Sequence, residues 1–281
     1  MLPHSRIRRA AAGAAVACTI VLGGIAADVA PRRPSHDRNW TVEQARMPHV
    51  HIEGTTVAIR DVRDFRHHAD GVTDEAWHDD AFDVNDVARV WFVLSPFSPR
   101  LRGLAHPFLS FEFNDGRFLA VSVEARKEVG ESYSAVRGLM RRYETMVVIG
   151  TEADLLGLRA VAWQDPIYLF PVNVTKEQAA DLFLRLMERA RALHASPEFY
   201  HTVLNNCTTN LIDPINEIAA AERRVGRLVG LVPGYSYEAA YRRGWIDTDR
   251  PLEETRAAHL ANDRIRRFVD EPDFSRLVRG Q

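Results

Sequence analysis

The sequence predicts an α+β fold in which a central antiparallel sheet packs against the helix that presents Cys207. Three observations carry that expectation. Two apolar, aromatic segments, Pro107 to Phe113 and Arg117 to Glu124, flank Asn114-Asp115-Gly116, a strong hairpin turn sequence. A stripe of Leu182, Phe183, Leu186, Met187 and Ala190 follows Thr175, a residue type that caps helix N-termini. Finally, Asn205-Asn206-Cys207-Thr208-Thr209 reads as a loop entering a helix, with Asn206 as N-cap and Cys207 in the first turn.

The chain has 281 residues, 46% hydrophobic and 26% charged, an ordinary globular composition. Its formal net charge of -2 lacks the basic excess of a nucleic-acid binder, so that class is set aside. Only two cysteines are present, Cys18 and Cys207, which rules out a disulfide framework within residues 40–281.

At the N-terminus, Arg6, Arg8 and Arg9 precede an uncharged run from Ala10 to Ala27 rich in Ala, Val, Ile, Leu and Gly. A basic stretch followed by an apolar one is the pattern of export. Residues 1–30 are therefore expected to be a cleaved signal peptide or a retained membrane anchor, and Gly24-Ile25-Ala26 offers a weak cleavage site. Residues 31–39, bounded by Pro31 and Pro34, read as a linker, and residues 40–281 as one domain with a helical C-terminal part.

Within the domain, Val57 to Arg60 and Val90 to Leu94 are rich in β-branched and aromatic types and read as strands. The polar, acidic stretch between them, Asp61 to Asp86, reads as loop with short structure. Further strands are expected from Tyr143 to Ile149 and from Ile167 to Val172, then the capped helix from Lys176. Pro214 limits the helix after Cys207 to a short or kinked one. Beyond Pro233-Gly234 the chain reads as helical and arginine-rich (Arg242, Arg243, Arg256, Arg264, Arg266, Arg267, Arg276, Arg279). These form either a solvated face or a contact for anionic lipid.

A free thiol in an exported domain asks for a reason. At a helix N-terminus, unpaired N–H groups favour a thiolate and can receive an oxyanion. A nucleophilic thiol also needs a histidine to take its proton and a third group to orient the ring. If the hairpin loop is the three residues 114–116, His106 falls directly opposite Glu124, with Cβ atoms roughly 4.5–5.5 Å apart. A two-residue loop would put the two on opposite faces. Spacing alone does not choose His106 over His201, six residues before Cys207. Asn205 and Asn206 are candidates for the oxyanion site or for holding the nucleophile loop, capping being the stronger reading for Asn206. His49-x-His51, His67-His68 and His78-Asp79-Asp80 lack any recognised metal spacing, so neither metal nor cofactor is expected.

Several stretches occur together in a recognisable order: Val62-Arg63-Asp64-Phe65; His106 to Phe113; Ser122 to Glu128; Gly130-Glu131-Ser132-Tyr133-Ser134; and Pro197 to Tyr200 running into Asn205-Asn206-Cys207-Thr208-Thr209. Through these the segment from Trp40 to about Leu211 resembles the Lnb N-terminal periplasmic domain family, the exported part of bacterial lipoprotein N-acyltransferases. The order His, Glu, Cys also resembles circularly permuted papain-like folds of the NlpC type. The resemblance implies Cys207 as nucleophile, His106 as base and Glu124 as orienting residue. It further implies acyl transfer in the cell envelope through a thioester, with membrane phospholipid as donor and lipoprotein N-termini as acceptor. The chain lacks the additional membrane-spanning part that follows the domain in full-length Lnb proteins, which leaves the acceptor open. An envelope cysteine amidase, peptidase or lipid hydrolase, or a non-catalytic binding module in which Cys207 is merely buried, are the alternatives.

Overall fold

In the strands both phases of the period-two pattern are apolar, and this gives the sheet two buried faces. The computed structural model describes residues 19, 23, 24, 27–68, 70, 73–98 and 102–281. Most of the expected signal or anchor, residues 1–30, therefore lies outside the described residues. Among those described, no helix is long and apolar enough to cross a membrane.

In chain order the elements are β1 (His49–Glu53), β2 (Thr56–Arg63), β3 (Arg66–His67), β4 (Thr73–Asp74), β5 (Trp77–Asp83), β6 (Val87–Pro96), β7 (Ala105–Phe113), β8 (Phe118–Arg126) and α1 (Ala135–Leu139). They continue with β9 (Glu144–Gly150), α2 (Glu152–Gly157), a π-helical turn (Leu158–Ala162), β10 (Tyr168–Pro171), α3 (Lys176–Ala195) and α4 (Thr209–Ile218). Four short helices follow: α5 (Ser236–Arg242), α6 (Leu252–Ala258), α7 (Asn262–Phe268) and α8 (Phe274–Leu277).

The main sheet runs β1-β2-β9-β8-β7-β6-β10, with β5 also paired to β2. It is mixed, where the sequence suggested an antiparallel one: every neighbouring pair is antiparallel except β2 with β9. The parallel junction is short, centred on Arg63 opposite Gly150. The backbones approach so closely there that a Cβ at position 150 would meet the Arg63 carbonyl oxygen at 2.6 Å, so the junction needs glycine. Such a pairing joins segments nearly ninety residues apart, and no local pattern announces it.

On one face Val90, Phe92, Leu109, Phe111, Val121 and Val123 pack against the stripe of α3, namely Leu182, Phe183, Leu186, Met187, Ala190 and Leu193. On the other, Trp91, Val93, Phe108, Ala120, Met146 and Val148 pack against α2, the π-turn, α7 and α8 through Leu155, Leu156, Ala160, Ile265 and Phe274. The result is three layers, helix–sheet–helix. The long helix lying on the sheet is thus α3, while α4, which follows Cys207, packs beside it and adds Leu211 to the same apolar layer. A full capping box starts α3, Thr175 accepting from the Gln178 N–H and the Gln178 side chain accepting from the Thr175 N–H.

The acidic stretch after β2 is more regular than its composition suggests, because β5 pairs along β2 with only Phe82 fully buried. Of the eight C-terminal arginines, Arg242, Arg243, Arg266, Arg267 and Arg276 are exposed, while Arg279 is structural. Arg279 makes a buried two-pronged pair with Glu152, at 2.6 and 2.8 Å, between the rings of Trp91 and Phe118. Arg243 donates to the Glu222 carbonyl and Arg266 to that of Ala160. Residues 35–40, expected as the end of the linker and the start of the domain, lie against it: the Ser35 N–H donates to Glu144, and the Trp40 indole to the His36 carbonyl.

Candidate active site

The hairpin places the first component. Gly116 adopts φ 86°, Phe113 and Arg117 close the three-residue loop, and the ladder pairs Leu109 with Val121. Carried to the strand ends, that register sets His106 opposite Glu124, as the three-residue loop required. The contact is not direct. The Nε2 of His106 lies 2.7 Å from Ser122 Oγ, which donates to Glu124 Oε1 at 3.0 Å, whereas Nε2 to Oε1 is 3.7 Å. Ser122 is two residues before Glu124 in β8 and so on the same face, interposed between acid and ring.

Glu124 is the hub of this cluster. It accepts from Arg159 at 2.9 Å and from the Gln44 amide at 3.1 Å. Arg159 comes from the π-turn and crosses the ring of Phe108 at 5.0 Å. Burial alone would raise the Glu124 carboxyl, but Arg159, His106 and Arg63 outweigh it and hold it well below the usual carboxylate range. His106 is pushed down to about 3, by burial first and Arg159 second, with Glu124 opposing. The resting ring is therefore neutral. With Nε2 taken by Ser122, Nδ1 is the nitrogen left for other chemistry.

Cys207 arrives from the other side. Regular helix begins at Thr209, two residues later than expected, with Thr208 and not Asn206 as its N-cap; Asn206 braces the turn before it, its Oδ1 accepting from the Thr209 N–H at 2.9 Å and its carbonyl from the Asn210 N–H. The amide of Asn206 also donates to the carbonyls of Thr202 and Gly230, so this side chain is fully used in holding the turn. Asn205 is similarly committed to Thr145, Phe199 and Asn210. Both asparagines hold the nucleophile turn, and neither has an amide N–H to spare for an oxyanion. The thiol is buried, with Thr208 Oγ1 at 3.7 Å. Burial pushes it up to about 11, more than the Thr208 hydroxyl and N–H pull it down, so the helix end does not deliver the depressed thiol that its position suggested.

His106, Glu124, Arg159, Asn206 and Cys207 line one cavity of about 510 Å³, together with Tyr133, Tyr200 and Trp163. The hydroxyl of Tyr200 lies 3.3 Å from that of Tyr133. His201 is not part of this group: its Nδ1 accepts from the N–H groups of Val203 and Leu204 and closes the tight turn 201–205. Of the histidines considered for metal, His67 is bonded to Asp154 and Thr73, and His49 packs edge-on against His194. Among the described residues, no group of three or more His, Cys, Asp or Glu is placed to hold a metal ion.

Sequence reasoning missed Ser122, Gln44 and Tyr200 as members of the site, and left Arg159 and Tyr133 aside. Ser122 was legible from its phase in β8; tertiary packing alone brings Tyr200, Arg159 and Tyr133 to the cavity and Gln44 to Glu124.

The model of the Lnb N-terminal periplasmic domain family matches residues 73–232, which hold His106, Ser122, Glu124, Arg159 and Cys207. No curated protein matches the chain. No solved structure matches it either.

Proposed function

The chain belongs to the Lnb N-terminal periplasmic domain family, and we propose that it performs cysteine-dependent acyl transfer in the cell envelope, with an ester of a membrane phospholipid as donor. The observation that supports this reading most is the meeting of Cys207 and His106, about a hundred residues apart in the chain, in one cavity with an oriented Ser122–Glu124–Arg159 network behind the ring. A merely buried cysteine has no use for such a network. The order of these residues along the chain is that of permuted papain-like enzymes of the NlpC type, and the same mechanism follows from it.

At rest the thiol and the imidazole are both neutral. As the sulfur attacks the ester carbonyl carbon, its proton passes to His106 Nδ1, and Ser122 and Glu124 keep the ring in place and offset its new charge. The carbonyl oxygen becomes an oxyanion, for which the hydroxyls of Tyr133 and Tyr200 on the cavity wall are candidate donors. Collapse breaks the C–O bond, and the leaving alkoxide takes the proton from His106 to depart as a lysophospholipid. An amine then attacks the thioester carbon and loses its proton to His106; the C–S bond breaks, the amide departs, and the leaving thiolate takes that proton from His106 to restore the thiol. A lipoprotein N-terminus is the acceptor that we propose.

The test is intact-mass spectrometry of the full chain incubated with phospholipid vesicles, and separately with a soluble activated acyl ester. We expect an acyl adduct, removed by hydroxylamine, on the wild type and on neither Cys207→Ser nor His106→Ala. No adduct from either donor would sink the proposal. An adduct from the soluble ester alone would keep the nucleophile and reassign the donor to a peptide or cell-wall amide.

A further inference from the structure

Twelve of the fifteen large apolar side chains exposed among the described residues line the cysteine cavity or sit on the segments around its mouth. The mouth is a closed ring of such segments. The Phe97 N–H donates to the Leu104 carbonyl, and the Phe97 ring lies 6.5 Å from that of Tyr133. After Tyr133 comes α1, which carries Val136. The Thr202 hydroxyl donates to the Ala135 carbonyl at 2.6 Å, joining α1 to the turn with Leu204. Arg227 donates to the Leu204 carbonyl, joining that turn to a 3-10 helix over Arg227–Leu231 that carries Leu228. The Gly234 N–H donates to the Gly103 carbonyl, which returns the ring to Leu104.

These side chains are far out in solvent: Leu228 is 77% exposed, and Val136 and Leu204 65% each. Scattered apolar residues are ordinary, whereas a concentration around one opening marks an interaction face. Exposed Arg102, Arg141 and Arg227 stand on or beside the same segments, the mixture that lies well in the headgroup region of an anionic bilayer.

The N-terminal segment leaves the domain at the same place. Asp28, directly after the apolar run Ala10–Ala27, pairs with Arg142 at 2.8 Å, and the Arg142 N–H donates to the Arg137 carbonyl within α1. Asp28, the residue that follows that run in the sequence, therefore lies beside the rim.

We propose that this ring is a bilayer-docking face that sets the mouth of the Cys207 cavity into the headgroup layer, so that an acyl ester enters from the membrane without crossing water. The acyl ester as occupant rests on the function proposed above; the docking does not.

The test uses the full chain with Cys18→Ala and Cys207→Ser, reconstituted in vesicles of phosphatidylethanolamine and phosphatidylglycerol that contain nitroxide-bearing acyl chains. A fluorophore is attached at Leu228→Cys, at Val136→Cys or, as control, at Asp115→Cys. The control lies at the hairpin tip, at the far end of the nine-residue β7, roughly 30 Å away. We expect several-fold stronger quenching at positions 228 and 136 than at 115, and loss of that excess when Leu204→Glu and Leu231→Glu are added. Equal quenching at all three positions would overturn the proposal and leave the ring as a site for a protein partner. Because this background lacks the thiol, docking without an acyl adduct in the wild type, or an adduct without docking, separates this inference from the acyl-transfer reading.

Discussion

Two histidines in this molecule sit in clusters of nearly the same composition. His67 is bonded to Asp154, which holds Arg63 in a two-pronged pair at 2.7 and 2.9 Å. His106 neighbours Glu124, which holds Arg159. Around His67 everything is spent: Nδ1 meets Thr73, Nε2 meets Asp154, and the side chain has no exposed surface. Asp154 also accepts from the Phe65 N–H, and Arg63 reaches the Glu43 carbonyl. This cluster pins β2 and β3 to α2. The cluster at His106 leaves one ring nitrogen uncommitted and opens onto a cavity that holds a thiol. A carboxylate, a histidine and an arginine make a clamp or a candidate site according to whether a bonding position is left over.

The sharpest way to break that contrast is to remove each ring. His106→Ala should slow acylation of Cys207 by about 10²–10⁴-fold with a small change in stability, while His67→Ala should leave the rate intact and lower the unfolding midpoint. Acylation kinetics by mass spectrometry, alongside urea unfolding, would show it. Equal rates in the two variants would remove His106 from the mechanism.

Next in size is Asp154→Ala, which strands a buried Arg63 and should cost about 3–5 kcal/mol in urea unfolding. The fraction that stays folded should still form the adduct. Loss of the adduct in folded protein would mean that the two clusters are one.

A pH series gives a smaller effect. His106 binds its proton more weakly in the folded state (about 3) than in an unfolded chain (6.5), so below 6.5 the unfolded state takes up the extra proton. Stability from this group is complete above about 6.5 and is lost as the pH falls toward 3. The urea midpoint of a His106→Gln variant should decline less steeply over that window, and an unchanged slope would place the acid sensitivity elsewhere.

Ser122→Ala should have the least effect on stability, about 1 kcal/mol, because it removes one hydroxyl bonded to His106 Nε2 while Glu124 keeps Arg159 and Gln44. Its acylation rate should fall by less than that of His106→Ala, in keeping with a positioning residue.

How much of this was legible in the sequence differs by element. The hairpin register, and with it the face shared by His106 and Glu124, followed from Asn114-Asp115-Gly116 because a three-residue loop fixes parity. The start of α3 followed from Thr175 and Gln178, where the capping groups are local. By contrast β5, Trp77-His78-Asp79-Asp80-Ala81-Phe82-Asp83, looks like a loop because only Phe82 is fully buried and the run gives no apolar alternation. The pairing of β2 with β9 and that of Arg279 with Glu152 were hidden for another reason, since each joins segments about ninety residues or more apart. At the site, the residue types were visible but their protonation was not. A helix N-terminus argued for a depressed thiol, and burial prevailed.

That last point bears on survival in the compartment. The periplasm is kept oxidising, and the species that peroxides and disulfides attack is the thiolate. With the Cys207 thiol pushed up to about 11, only about one molecule in ten thousand carries a thiolate at neutral pH. The walls of the site hold the sulfur in its inert form, so Cys207, free among the described residues, can persist reduced among oxidants.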